Sequence, residues 1–338
     1  MKAAVFKGAG NGPALAIEQR PVPAPQAGEV LVRVSRAGVC GSDLHLTSGH
    51  GLQLPVGSLL GHEFCGEVVA VGEGVDAIRL GDRVAPMPFV GCGACSACFA
   101  GRPHHCTKAR IDVVHGFSEY SRAGVRDCVV LPGGLSDEEG ALIEPLAVGL
   151  QGVRKAALSI GARVLITGAG PIGLGTAFWA RRLGAGRIAV MAASSRRRDL
   201  ALAMGASDFI AQKDVADPGE AVRDVLGGAP DVVFEAVGLP GAIAQAIDFA
   251  KPMGTVVSLG FCGEPDSFVP VAALTKELRL LFSMCYDRQD FQYTAEVMAS
   301  GDRRPRAMIT STVGLDELPG RFEQLRGATA DCKVMVAP

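Results

Sequence analysis

Aromatic side chains are scarce, with one Trp and three Tyr in 338 residues. Substrate specificity is therefore not read from stacked rings. Net charge is close to zero, at −2, which removes any electrostatic drive towards nucleic acid or an anionic membrane. No signal-peptide core follows Met1-Lys2-Ala3-Ala4-Val5-Phe6, because a glycine-rich turn comes at once. Long apolar runs are missing as well. The longest uncharged stretch, 164–180, approaches membrane length but contains Gly168, Gly170, Pro171, Gly173 and Gly175. It breaks as strand, loop and helix rather than spanning a bilayer. Internal repeats and low-complexity segments are absent. A soluble, cytoplasmic protein is expected, in which the ten cysteines serve as thiols or metal ligands rather than disulfides.

What is present is a large core. Apolar residues make up 48% and charged residues 20% of the chain, and the length exceeds what one small core organises, so two domains are expected. Short strands are predicted at 2–7 and 14–20, separated by the Gly8–Pro13 turn, and at 29–34, where apolar and polar residues alternate. Near residue 151 the texture changes to alternating strands and helices. Near 286 it changes back. The expected division is 1–150, 151–285 and 286–338.

Three clusters of chemistry-bearing residues stand in the first part. His62 and Glu63 open a valine-rich, glycine-punctuated run; an imidazole binds a transition metal well, and an adjacent carboxylate ligates the metal or orients its ligand. Cys40, Ser42, Asp43 and His45 fall within six positions, offering a thiolate ligand beside groups that pass protons. Cys92, Cys95, Cys98 and Cys106 follow C-x2-C-x2-C-x7-C. Four thiolates so spaced surround one tetrahedral zinc and leave no open position, the mark of a structural site. Thiolate tetrads also suit iron–sulfur clusters, and a disulfide pair is the other alternative. The lobe spans 91–106. Cys65, Cys128, Cys262 and Cys285 read as small apolar fillers.

The middle of the chain carries a dinucleotide fingerprint. The strand Arg163–Thr167 runs into Gly168-Ala169-Gly170-Pro171-Ile172-Gly173, then a helix, then a second strand from Arg187. Gly168 permits the tight turn, Gly170 lets backbone approach the pyrophosphate, and Gly173 allows close helix–strand contact, with the helix N-terminus facing the phosphates. The position where an acid would bind the adenosine ribose diol is Ala192, and Ser194, Ser195, Arg196, Arg197 and Arg198 follow. No carboxylate repels a 2′-phosphate here. Arg196 and Arg197 can pair with it and Ser194 can donate to it, so NADP is expected over NAD. The alternative is that these arginines only begin a solvated helix.

Gly61-His62-Glu63 with Gly66, Gly72 and Val75, the four-cysteine lobe and Cys40-Gly41-Ser42-Asp43 together resemble the zinc-dependent medium-chain alcohol dehydrogenase superfamily, in the right order over nearly the whole chain. Glu144-Pro145-Leu146-Ala147-Val148-Gly149-Leu150 is similar to its polyol, butanediol and threonine dehydrogenase branch. The resemblance implies an α/β chain: a GroES-like, mainly β catalytic domain plus a Rossmann, doubly wound parallel-sheet domain. It implies two zinc ions per chain, Cys40 and His62 as catalytic ligands, and Glu63 and Glu144 sharing the third protein position. Asp43 would fix the His62 tautomer, Ser42 would take the alcohol proton and His45 would carry it outward. Val237 would lie near the adenosine ribose, Leu259, Gly260, Phe261 and Met284 near the nicotinamide, and Lys333 would reach the pyrophosphate. Residues near 45–56 and 115–120 would shape a pocket for a small alcohol or carbonyl substrate, in a homodimer or homotetramer. A threonine-dehydrogenase-like NAD enzyme, a zinc-free quinone or enoyl reductase and a non-catalytic NADP-binding protein are the alternatives.

Overall fold

Antiparallel pairing builds the first part of the chain in the computed structural model, which describes residues 1–338 except 11 and 328. Residue 11, in the predicted glycine-rich turn, lies outside the described residues. Lys2–Phe6 (β1) pairs with Leu15–Gln19 (β2). Glu29–Gly38 (β3), Glu63–Val71 (β4), Arg83–Pro86 (β5), Tyr120–Gly124 (β6) and Cys128–Val130 (β7) follow, with helices Gly41–Leu46 (α1) between β3 and β4 and Ser96–Phe99 (α2) between β5 and β6. Helix Asp137–Ala156 (α3) leads into the second part.

There the strands are Arg163–Thr167 (β8), Arg187–Ala192 (β9), Asp208–Ala211 (β10), Val232–Glu235 (β11), Thr255–Ser258 (β12) and Arg279–Phe282 (β13). Between them lie Pro171–Arg182 (α4), Arg198–Ala203 (α5), Pro218–Leu226 (α6), Ala242–Phe249 (α7) and Pro270–Leu274 (α8). All six strands are parallel, in the order β10-β9-β8-β11-β12-β13. Sequences such as Val164-Leu165-Ile166 are apolar on both faces because helices cover both sides of such a sheet. The strand order reverses between β8 and β11, with β9 and β10 added on one side and β12 and β13 on the other, the switch point outside whose carboxyl ends ligands bind. Cap chemistry is legible at α6: Asp217 accepts from the Gly219 and Glu220 amides, Pro218 occupies the first turn, and Gly227 ends the helix at φ 71°.

The chain then returns through Arg288–Ala299 (α9), Ile309–Gly314 (β14), Leu318–Gln324 (α10) and Lys333–Ala337 (β15). These rejoin the first sheet, whose order is β14-β15-β3-β4-β5-β7 with β6 also on β3. Its core gathers Val30, Val32, Val34, Phe64, Val68, Val84, Phe117 and Phe322. Met1–Glu144 with Asp287–Pro338 forms one compact unit and Pro145–Tyr286 the other. The expected boundary at 150 lies inside α3, which runs on through it. Cys65 and Cys128 are buried; Cys262, read as a filler, is exposed.

Candidate metal centres and dinucleotide cradle

Sheet register assembles the first cluster. Gly38 at the end of β3 sits opposite Glu63 at the start of β4, and opposite Met335 of β15. Just past these pairs, Cys40 leaves β3, His62 enters β4 and Lys333 enters β15. The ligand atoms of Cys40, His62 and Glu63 all lie within 4.8 Å of one another. Asp43 is buried; its Oδ2 accepts from the Cys40 amide at 3.0 Å, and its Oδ1 lies 3.3 Å from His62 Nδ1. One carboxylate thus ties both ligand segments together and leaves Nε2 of His62 for a metal. The His62 pKa is raised well above its ordinary value: burial opposes this, but the Asp43 carboxylate and the Cys40 sulfur outweigh it. Ser42 is half-buried and His45, three positions on along α1, is exposed. Residues three apart on a helix share a face. Arg326 holds the far end of α1, donating to the carbonyls of Leu44 and Thr47 and to Thr47 Oγ1.

One expectation changes here. Lys333 does not extend towards a pyrophosphate. It is buried, and Nζ donates to both Glu63 oxygens at 2.8 and 2.5 Å and to the Val39 carbonyl at 2.9 Å. The register of β15 on β3 places it there and commits its ammonium. A Cβ at Gly38 would overlap Glu63 Oε2 and approach Lys333 Cδ to 3.1 Å, so the ion pair requires glycine at that position. Glu144, the other acid expected at the third position, is buried within α3.

The second cluster is the lobe. Sγ atoms of Cys92, Cys95, Cys98 and Cys106 lie within 4.8 Å of one another, with Cys95 and Cys98 3.5 Å apart. The Ala94 amide is the largest of several groups that lower the Cys92 pKa, while burial raises that of Cys98. Amide-to-sulfur bonds favour thiolate, the form that ligates. Four soft donors at tetrahedral reach fit zinc.

The cradle is built in the other unit. Gly168 (φ +99°) turns out of β8, its amide bonded to the Met191 carbonyl at 2.8 Å. A Cβ at Gly173 would overlap the Gly168 carbonyl, whereas Gly170 has nothing within 4 Å of a Cβ. The loop is thus closed against the sheet at one glycine and open to an approaching group at another. Pro171 and Ile172 begin α4. Arg197 Nη1 donates to the Ala169 carbonyl at 3.1 Å, which draws its guanidinium to the fingerprint loop. Ser194 is half-buried beside it and Arg196 is exposed. Val237, Phe261 and Met284 are exposed at the carboxyl ends of their strands, while Leu259 is buried and packs against Gly152. Sequence reasoning passed over Glu235, the buried last residue of β11. A carboxylate ending an otherwise apolar strand was the available signal.

The site and fold define a zinc-binding, nicotinamide-dependent dehydrogenase. Residues 26–133 match the alcohol dehydrogenase GroES-like domain and 171–300 the zinc-binding dehydrogenase domain. Sorbitol dehydrogenase of Bacillus subtilis is 32% identical over 349 residues, covering 100% of this chain and 97% of that one. A zinc-binding dehydrogenase from Sinorhizobium meliloti, solved bound to NADP, superposes with a TM-score of 0.89 at 33% identity, over 100% and 99% of the two chains. An alcohol dehydrogenase from Escherichia coli CFT073, solved with NADH, superposes with a TM-score of 0.89 at 29% identity over the same shares. The chain belongs to the zinc-dependent medium-chain alcohol dehydrogenase superfamily, on its polyol branch.

Proposed function

We propose that this chain transfers hydride between a secondary alcohol, diol or polyol, or the matching carbonyl compound, and NADP(H), with two zinc ions per chain. The observation that carries the reading is the convergence of Cys40, His62 and Glu63 with Asp43 bracing His62. Zinc bound there would supply Lewis-acid polarisation of the substrate oxygen, and the nicotinamide would supply the hydride acceptor. The chain's own residues do the rest. Asp43 holds His62 in one tautomer. Ser42 takes the alcohol proton and His45, exposed, passes it to water. The tetrad Cys92, Cys95, Cys98 and Cys106 would hold the second ion, which would staple its lobe.

NADP preference is supported by Ala192 in place of an acid and by Arg197 drawn to the fingerprint loop. NAD is the second reading, favoured by the relative solved with NADH. A homo-oligomer is part of the same proposal: β13 ends its sheet, and its Phe282 is 65% exposed. An unpaired apolar edge of this kind is a template for a second copy. The cytoplasm is the proposed compartment, and no described helix is long and apolar enough to cross a membrane.

The test is zinc analysis of the purified protein, followed by an alcohol and polyol panel read by NADPH and NADH absorbance. Zinc together with NADP-linked turnover of a polyol or secondary alcohol is expected. Metal-free protein, or full activity after zinc removal, would overturn the proposal.

A further inference from the structure

A single buried side chain joins two loops at the carboxyl ends of the parallel strands. Glu235 ends β11 and is 1% exposed. Its Oε1 accepts from the Val237 amide at 2.6 Å and the Gly238 amide at 2.8 Å, and its Oε2 from the Ser258 hydroxyl, at the end of β12, at 3.2 Å. Its main-chain carbonyl accepts from Leu259 and Gly260 at 2.7 and 3.0 Å. These side-chain partners are two backbone amides and a hydroxyl, all donors to the Glu235 oxygens.

The loops it joins touch backbone to backbone. A Cβ at Gly238 would lie 2.7 Å from the Phe261 amide, and one at Gly260 would overlap the Gly238 amide. On the other side, a Cβ at Gly168 would lie 2.8 Å from the Ala236 carbonyl. The fingerprint loop, 236–238 and 259–261 therefore form one continuous platform across β8, β11 and β12, with Glu235 beneath its centre.

We infer that Glu235 is a positioning residue for the nicotinamide cofactor: it fixes the two later loops against the fingerprint loop and sets the surface on which the dinucleotide lies, without touching it. This rests on the cofactor reading given above. Acceptor oxygens in this place are what the platform requires. An apolar residue of similar size leaves the Val237 and Gly238 amides without partners and frees Ser258. An amide side chain keeps an oxygen facing the two amides, and the Ser258 hydroxyl can rotate to accept from its nitrogen.

The experiment measures NADPH and NADH dissociation constants by fluorescence on the zinc-loaded protein, alongside melting temperature and steady-state kinetics. Glu235→Leu should weaken binding of the preferred dinucleotide at least about tenfold, and Glu235→Gln should restore it to within about threefold. At saturating cofactor, kcat and the alcohol KM should stay within about twofold of the parent, a split that a general loss of structure would not give. If wild-type protein binds neither dinucleotide, the cofactor reading fails first. If wild type binds but folded Glu235→Leu binds equally well, the inference about Glu235 is overturned. Should Glu235→Leu not fold, Ser258→Ala decides, because it removes one bond of the latch: unchanged affinity overturns the inference, and a several-fold loss at constant kcat supports it.

Discussion

Lys333 and Glu63 form an ion pair from which solvent is excluded: the side chains are 1% and 0% exposed, with Nζ 2.5 Å from one carboxylate oxygen. Burial alone would lower the Lys333 pKa, but Glu63, and behind it Cys40, raise it. The lysine therefore stays charged and balances the carboxylate beside the cluster. Removing one partner leaves a buried charge uncompensated. Lys333→Met should cost about 3–5 kcal/mol of stability, whereas Lys333→Met with Glu63→Gln should recover most of it. Urea unfolding of the single and double variants checks this, and equal losses in both would count against the pairing.

Much of this site is local in sequence and was legible there. The cysteine tetrad occupies fifteen consecutive positions, 92–106, the fingerprint six, and both follow from the short reach of backbone around a ligand. Glu63 with Lys333 was not legible, because its partners lie 270 positions apart and meet only through the register of β15 on β3. A basic residue at the head of a terminal strand carries no mark of burial. A doubly wound parallel sheet was implied by the family resemblance, whereas the polar latch at Glu235 depends on β11 and β12 being neighbours.

Cys40 is the ligand on which catalysis should depend most. Cys40→Ala should reduce turnover by about three orders of magnitude, the scale of losing several kcal/mol of charge stabilisation. NADPH affinity should be unchanged, since the fingerprint lies in the other unit. Steady-state rates and cofactor titration check the two halves separately. Near-normal rates would remove Cys40 from the centre.

The lobe should behave as a closed structural site. Cys98→Ser should lower zinc content from about two ions per chain to about one and reduce the melting temperature, because three thiolates hold the lobe poorly. Elemental analysis after gel filtration measures the first and calorimetry the second. Unchanged zinc with unchanged melting would argue against a metal in the lobe.

Cofactor choice should respond to the end of β9. Ala192→Asp places a carboxylate where a 2′-phosphate would approach, and should move the NADP-to-NAD ratio of kcat/KM towards NAD by at least about tenfold, roughly 1.4 kcal/mol. Arg197→Ala should move it the same way, with a further loss for both cofactors because the bond to Ala169 goes too. A ratio unmoved by either change would leave NADP preference without a basis in these residues.

His115 gives the molecule a specific acid sensitivity. It is 7% exposed, its Nδ1 lies 2.9 Å from Ser118 Oγ, and its pKa falls from 6.5 to about 4. Burial is the main cause; Arg122 nearby also disfavours the charged ring, while Asp112 opposes the shift weakly. The folded state holds the ring neutral where the unfolded chain would protonate it. Between pH 6.5 and about 4 the unfolded state therefore binds more protons, and stability falls as pH falls, by about 3 kcal/mol across the window. Above pH 6.5 this residue contributes no pH dependence. Urea unfolding at pH 7 and pH 4.5 should show the loss, and His115→Gln should flatten that part of the profile. A variant with the same slope as the parent would place the acid sensitivity elsewhere.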